Sequence, residues 1–143
     1  MGNHIVDIEA VIDYIENHID EKLDLERVAE AVHYSKYYLH RMFTNTVGMT
    51  IHDYVQRRQL TEAAKLLIFS SKPIIEVAFL CGYESQQAFS SAFKSMYKVP
   101  PAQYRESGTF YPLQLRFVLH RNIPSKIFAK EDICIAEKED IPA

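Results

Sequence analysis

Cysteine is scarce in this chain: Cys81 and Cys134 are the only two among 143 residues. Two thiols cannot build a disulfide framework or a four-cysteine zinc site, so a reducing compartment is the expectation. Long apolar runs are missing too, and nothing approaches the about 20 residues that span a bilayer. The opening MGNHIVDIEA lacks a basic stretch followed by an apolar core, so no secretory signal is visible and a cytoplasmic chain is expected. There is no Ser-His-Asp or Cys-His order, no paired-carboxylate site and no phosphate-binding loop. Catalysis, a cofactor and a resident metal are therefore not expected. Nor is there an excess of positive charge: 16 basic residues meet 19 acidic ones, for a formal net charge of −3. Taken whole, that balance argues against a nucleic-acid partner, because such proteins are usually basic.

The distribution of charge says otherwise. Residues 1–32 hold nine acids and two bases, whereas residues 33–105 hold nine bases and four acids. The acidity sits at one end, and the remainder is basic. The rest of the composition, 48% apolar and 24% charged, is that of an ordinary globular domain.

The periodicity reads as all-α, with about seven helices. Ile8, Val11, Ile12, Ile15 and Ile19 form an amphipathic stripe. Asp24 can cap a short helix that buries Leu25, Val28, Ala29 and Val32. Ser35 sits at an N-cap ahead of a third helix with Leu39, Met42 and Phe43 on one face, ended by Gly48. Thr50 opens Ile51–Phe69, which contains no Gly or Pro and should be the longest helix, about 28 Å. A break at 70–72 precedes Pro73 and a helix over 74–81 that stops at Gly82. Ser85 caps the next, with Phe89, Phe93 and Met96 inward, and Pro100-Pro101 starts a last short one through Tyr104 and Arg105.

A repeat runs through this series. Val28, Ala29 and Tyr34 recur 49 residues later as Val77, Ala78 and Tyr83. Beyond a one-residue insertion at Glu84, Ser35, Leu39, Phe43 and Tyr54 recur 50 residues later as Ser85, Phe89, Phe93 and Tyr104. One supersecondary unit made twice accounts for the pattern.

That unit, a short helix, a tight turn and a serine-capped helix, is a helix-turn-helix whose second helix can enter a major groove. The second helices are expected at 35–47 and 85–97. In the first, Lys36, Tyr37, His40, Arg41 and Thr44 share an outward face with no acid among them. Arg41 could bond a guanine bidentately and Tyr37 could pack on a thymine methyl. In the second, the outward set is Gln86, Gln87, Ser90, Ser91, Lys94 and Ser95, and paired glutamines suit adenine N6 and N7. Ser35 and Ser85, with the free first-turn N–H groups, suit phosphate oxygens. Each residue alone also reads as solvated surface; the joint occurrence of two such faces is the signal. A connecting helix of about 28 Å, plus its flanks, can hold both faces near the about 34 Å between successive major-groove segments. One chain could then read both without dimerising.

The stretch Pro73-Ile74-Ile75-Glu76-Val77-Ala78, with Cys81-Gly82-Tyr83-Glu84-Ser85-Gln86-Gln87, Phe93-Lys94, Pro100-Pro101 and Tyr104-Arg105, resembles the AraC/XylS transcription regulators. Residues 35–43, 83–87 and 99–101 point to the subgroup of MarA, SoxS and Rob. The resemblance covers about residues 5–107. It implies a sequence-specific double-stranded DNA-binding regulator, an activator by expectation, that contacts RNA polymerase and binds asymmetric promoter sites with both units. Carried over by position, Tyr37, His40, Arg41, Gln86, Gln87 and Ser91 would read bases, and Ser35, Lys36, Thr44, Ser85, Ser90 and Lys94 would hold the backbone. Tyr37 stands where the subgroup has a tryptophan, His40 where it has a glutamine, and Ser91 where it has an arginine. His33 replaces the usual turn glycine of the first unit. The first unit is therefore expected to dominate specificity.

Residues 108–143 change character. Leu113, Leu115 and Phe117 alternate in a strand pattern, and 126–136 holds a second candidate strand. Two descriptions stay open: a short C-terminal extension packed on the 1–107 helical domain, or the start of a truncated effector-binding domain. A competing functional reading is a protein-interaction module, without DNA binding, using an acidic first-helix face of Asp7, Glu9, Asp13, Glu16, Asp20 and Glu21.

Overall fold

Seven helices follow one another with no strand among the described residues, 4–119, of the computed structural model, whose side chains are described from residue 8 onward. They are α1 His4–Asn17, α2 Leu25–Val32, α3 Lys36–Val47, α4 Ile51–Phe69, α5 Ile74–Leu80, α6 Gln86–Tyr97 and α7 Pro101–Ser107. The starts are set by the residues the sequence marks. Asp24, Ser35, Thr50 and Ser85 each accept a hydrogen bond from the backbone N–H three residues on. Helices α3 and α6, and the short α2, end on left-handed residues: His33, Gly48 and Lys98 have φ of 64°, 94° and 71°.

The duplication is structural as well as sequential. In both units the turn closes through an equivalent bond: Tyr34 N–H donates to Ala29 O at 2.9 Å, and Tyr83 N–H to Ala78 O at 3.0 Å. The left-handed turn residues are His33 and Gly82. Gly82 has no freedom to change. At φ +87°, an added Cβ would lie 2.7 Å from both Glu21 O and Gln59 Nε2.

Each unit has its own core. The first joins Ile8, Val11, Ile15, Val28, Leu39 and Phe43 to the start of α4, at Ile51, Tyr54 and Val55. The second joins Val77, Ala78, Phe89, Phe93 and Tyr104 to the end of α4, at Leu60, Ala63, Ala64 and Leu67. Helix α4 thus serves both, and its middle turn, Gln56-Arg57-Arg58-Gln59, belongs to neither apolar cluster. Arg58 is buried there; it forks onto Glu16 at 2.7 and 2.9 Å and reaches Glu62 at 3.0 Å. These carboxylates hold its guanidinium charged, against a desolvation cost that favours the neutral form.

The strand pattern at 113–117 does not become a strand. Residues 110–119 instead run as an irregular strap from the second core to the first. Phe110, Tyr111 and Leu113 pack at one end, and Phe117 and Leu119 at the other. No neighbouring strand is present among the described residues to complete a ladder, so side chains of the helices satisfy the strap's backbone. The candidate strand at 126–136 lies outside the described residues.

Candidate nucleic-acid interface

The Ser35 and Ser85 caps set where α3 and α6 begin, and the apolar positions Leu39, Met42, Phe43 and Phe89, Phe93, Tyr97 turn one side of each helix inward. What remains faces out. Tyr37 is 77% exposed, a large aromatic with no core to occupy. Lys36, His40 and Arg41 are exposed beside it, so this set lies on one open face of α3. On α6, Gln86, Gln87, Ser91, Lys94 and Ser95 are exposed, and Ser90 is half-buried at the edge of the same face. The cap hydroxyls are engaged as acceptors, by Tyr38 N–H and Ala88 N–H at 3.1 Å each, which leaves each O–H free to donate.

Thr44 departs from the expected set. It is half-buried, and its hydroxyl oxygen is buried without a hydrogen-bond partner among the described residues. The i, i+4 spacing that placed it with Lys36 and His40 is right for the helix. Thr44 thus stands at the inner edge of that face, beside exposed Asn45.

The charges sort in a way composition could not reveal. Of the nine bases in 33–105, three arginines are used internally. Arg58 is buried. Arg57 donates to Gln114 Oε1 at 2.9 Å and to Leu113 O at 3.2 Å. Arg105 donates to Leu67 O, Ser70 O and Lys72 O at 2.8, 3.3 and 2.7 Å, tying off the C-terminal end of α4, where the helix dipole favours a cation. On the recognition helices and their ends, Lys36, Arg41, Lys94 and Lys98 remain exposed. Lys36 lies 3.6 Å from Glu26, an acid the sequence did not place on that face. Lys98, outside the expected set, ends α6 in a left-handed conformation and adds a cation beside Lys94.

Three of the six acids expected on the acidic first-helix face pair with arginines, one of them, Glu21, beyond the end of α1. Glu16 is taken by Arg58, Asp13 by Arg116 and Glu21 by Arg27. Cys81 is buried, and that burial pushes its thiol up to about 12, which leaves almost no thiolate near neutral pH. Among the described residues no group of His, Cys, Asp and Glu could hold a metal ion, and no helix is long and apolar enough to cross a membrane.

Known proteins share this arrangement. A family described as a helix-turn-helix domain matches residues 28–107. The multiple antibiotic resistance protein MarA of Escherichia coli (strain K12) is 38% identical over 114 residues, covering 76% of this chain and 90% of that protein. Among solved structures, the C-terminal domain of AraT, a response regulator from Geobacillus stearothermophilus, superposes with a TM-score of 0.70 at 32% identity. It covers 81% of this chain and 96% of that one. The DNA-binding domain of AdpA, a global transcriptional factor solved in complex with a target DNA, gives 0.66 at 26% identity, covering 69% and 89%. With two matched helix-turn-helix units on one linker helix, and relatives of this identity and coverage, the chain belongs to the AraC family of helix-turn-helix DNA-binding transcription regulators, in the subgroup of MarA and Rob.

Proposed function

We propose that this chain reads an asymmetric duplex site as a monomer, with helices 35–47 and 85–97 in adjacent major-groove segments. The observation that carries the reading is the pair of equivalent outward faces, to which α3 and α6 themselves contribute no acid, held by one helix that both cores share. Tyr37, His40 and Arg41 contact bases in the first segment, and Gln86, Gln87 and Ser91 in the second. Arg41 supplies a bidentate donor pair for guanine O6 and N7, and the glutamines suit adenine N6 and N7. Ser35, Lys36, Ser85, Ser90 and Lys94 hold phosphate oxygens and set the register.

Regulation follows as activation through contact with RNA polymerase, within the cytoplasm at the nucleoid. Residues 1–107 form the DNA-reading domain and 108–143 its extension, of which the first part is folded onto it. The competing use of α1 as an acidic docking face is weakened by the three carboxylates already engaged by arginines. Selection of bound sequences from a random duplex pool, followed across salt concentrations, tests the proposal. Two short conserved blocks about one helical turn apart in the selected pool are expected, with binding that falls steeply with salt. A pool without enrichment, from a folded protein, would refute it.

A further inference from the structure

The middle turn of α4 is built of polar residues that all hold something. Successive helical residues point about 100° apart, so Gln56, Arg57, Arg58 and Gln59 radiate around the helix. Gln56 faces the Tyr83 hydroxyl at the turn of the second unit. Gln59 Nε2 donates to Ile19 O at 3.1 Å and Glu21 O at 2.9 Å, in the connection between α1 and α2. Arg57 reaches Leu113 O and the Gln114 side chain, and Arg58 donates to Gln114 O at 2.9 Å. The strap thereby crosses the polar turn of the linker helix that lies between the two apolar clusters.

Both ends of the strap are closed by the matched tyrosines of the repeat. Tyr54 Oη accepts from Phe117 N–H at 3.0 Å, and Tyr104 Oη from Tyr111 N–H at 3.1 Å. Between them Gln114 N–H donates to Thr61 Oγ1 at 3.1 Å. Tyr54, Arg57, Arg58 and Thr61 lie at i, i+3, i+4 and i+7, a single face of α4 directed at the strap. A lone helix bends gently; beside α4 the units also meet where Gly82 packs on Glu21 O and Lys22 Nζ pairs with Glu84 at 2.9 Å, an exposed ion pair, and the strap adds a further tie along the Tyr54–Thr61 face of α4.

We propose that residues 110–117 are a positioning strap that locks the two helix-turn-helix units at one spacing and one relative orientation. Through it, the chain following α7 sets how far apart α3 and α6 are presented. The geometry stands without the duplex reading; its consequence for half-site spacing rests on that reading. Such a strap also makes the extension a lever, because anything that lifts Gln114 from α4 loosens the presentation of both recognition helices together.

The test uses the full chain and a triple variant, Tyr54→Phe, Thr61→Val and Gln114→Ala, which removes strap-holding polar atoms, keeps the ring of residue 54 against Phe43, and changes no residue of either recognition helix. Residual dipolar couplings of the backbone amides in α2–α3 and α5–α6 are measured on the free protein. In the wild type both sets should fit one alignment tensor; in the variant they should need two. On a selected duplex and on one with a base pair inserted between its half-sites, the penalty for wrong spacing should shrink by about tenfold or more in the variant, which loses three hydrogen bonds each worth a few-fold. One tensor and an unchanged spacing penalty in the variant would overturn the proposal. Should the triple variant fail to fold, Thr61→Val alone, a swap of one hydroxyl for a methyl, is read the same way against a smaller change. Absence of duplex binding by the wild type would count against the DNA reading, while the couplings still decide the strap.

Discussion

His33 and Gly82 occupy the same left-handed turn position in the two units and answer to different demands. For His33 the demand is torsional: it is exposed at φ 64° and gives up the ease with which glycine enters that region. For Gly82 it is torsional and steric, because Glu21 O and Gln59 Nε2 fill the space a Cβ needs. His33→Gly should therefore raise stability by about 0.5–1 kcal/mol, and Gly82→Ala should lower it by more than about 2 kcal/mol. Paired urea denaturation curves check both signs. A loss at Gly82→Ala no larger than the gain at His33→Gly would mean that Gln59 and the Glu21 backbone both yield.

The same scale decides which unit carries specificity. Arg41 is exposed on α3 with no ion pair among the described residues, whereas the corresponding part of α6 offers Ser91 and no cation. Arg41→Ala should cost about 1–3 kcal/mol in site binding and relax preference at one base position. Gln87→Ala should cost less in the same mobility-shift titration, and an equal or larger loss would reverse the ranking.

Among the elements, α4 departs most from its appearance in sequence. An uninterrupted run rich in Leu, Ala, Gln and Arg is plainly a helix, and Ile51–Phe69 is one of 19 residues. Periodicity registers apolar spacing and is silent about which polar groups of its centre are engaged. Arg58 in fact sits buried between Glu16 and Glu62. Arg58→Ala would strand the Glu16 carboxylate and should cost about 3–5 kcal/mol. Arg58→Met combined with Glu16→Leu should recover much of that loss, in thermal melts of both variants. The strap shows the converse error. Alternating Leu113, Leu115 and Phe117 has strand spacing, yet no neighbouring strand lies within the described residues, so the segment follows the helix surface.

For the whole molecule, the net charge of −3 and the basic 33–105 segment give an incomplete account of affinity. Burial and cross-linking withdraw Arg57, Arg58 and Arg105, leaving Lys36, Arg41, Lys94 and Lys98 as the exposed cations of the two recognition helices and their ends. With about 0.9 counterions released per neutralised phosphate, the plot of log affinity against log salt should have a slope of about −4 or shallower. Lys94→Ala should flatten it by about one, and Arg57→Ala should leave it unchanged. Fluorescence anisotropy across a salt series measures all three slopes.

The sequence by itself determined what depends on local chemistry and spacing. Serine, threonine and aspartate caps, the glycine stops, the apolar stripes and the repeat at 49 to 50 residues place seven helices and two outward faces. These signals suffice because caps and stripes act over a single turn. Tertiary structure decided what depends on residues far apart in the chain meeting. It buried the Thr44 hydroxyl, spent three arginines on internal bonds, and laid residues 110–117 along α4, where Tyr54 and Thr61 of that helix and Tyr104 of α7 hold them. A buried polar group takes whichever partner the fold brings within about 3 Å, and no local spacing encodes that meeting.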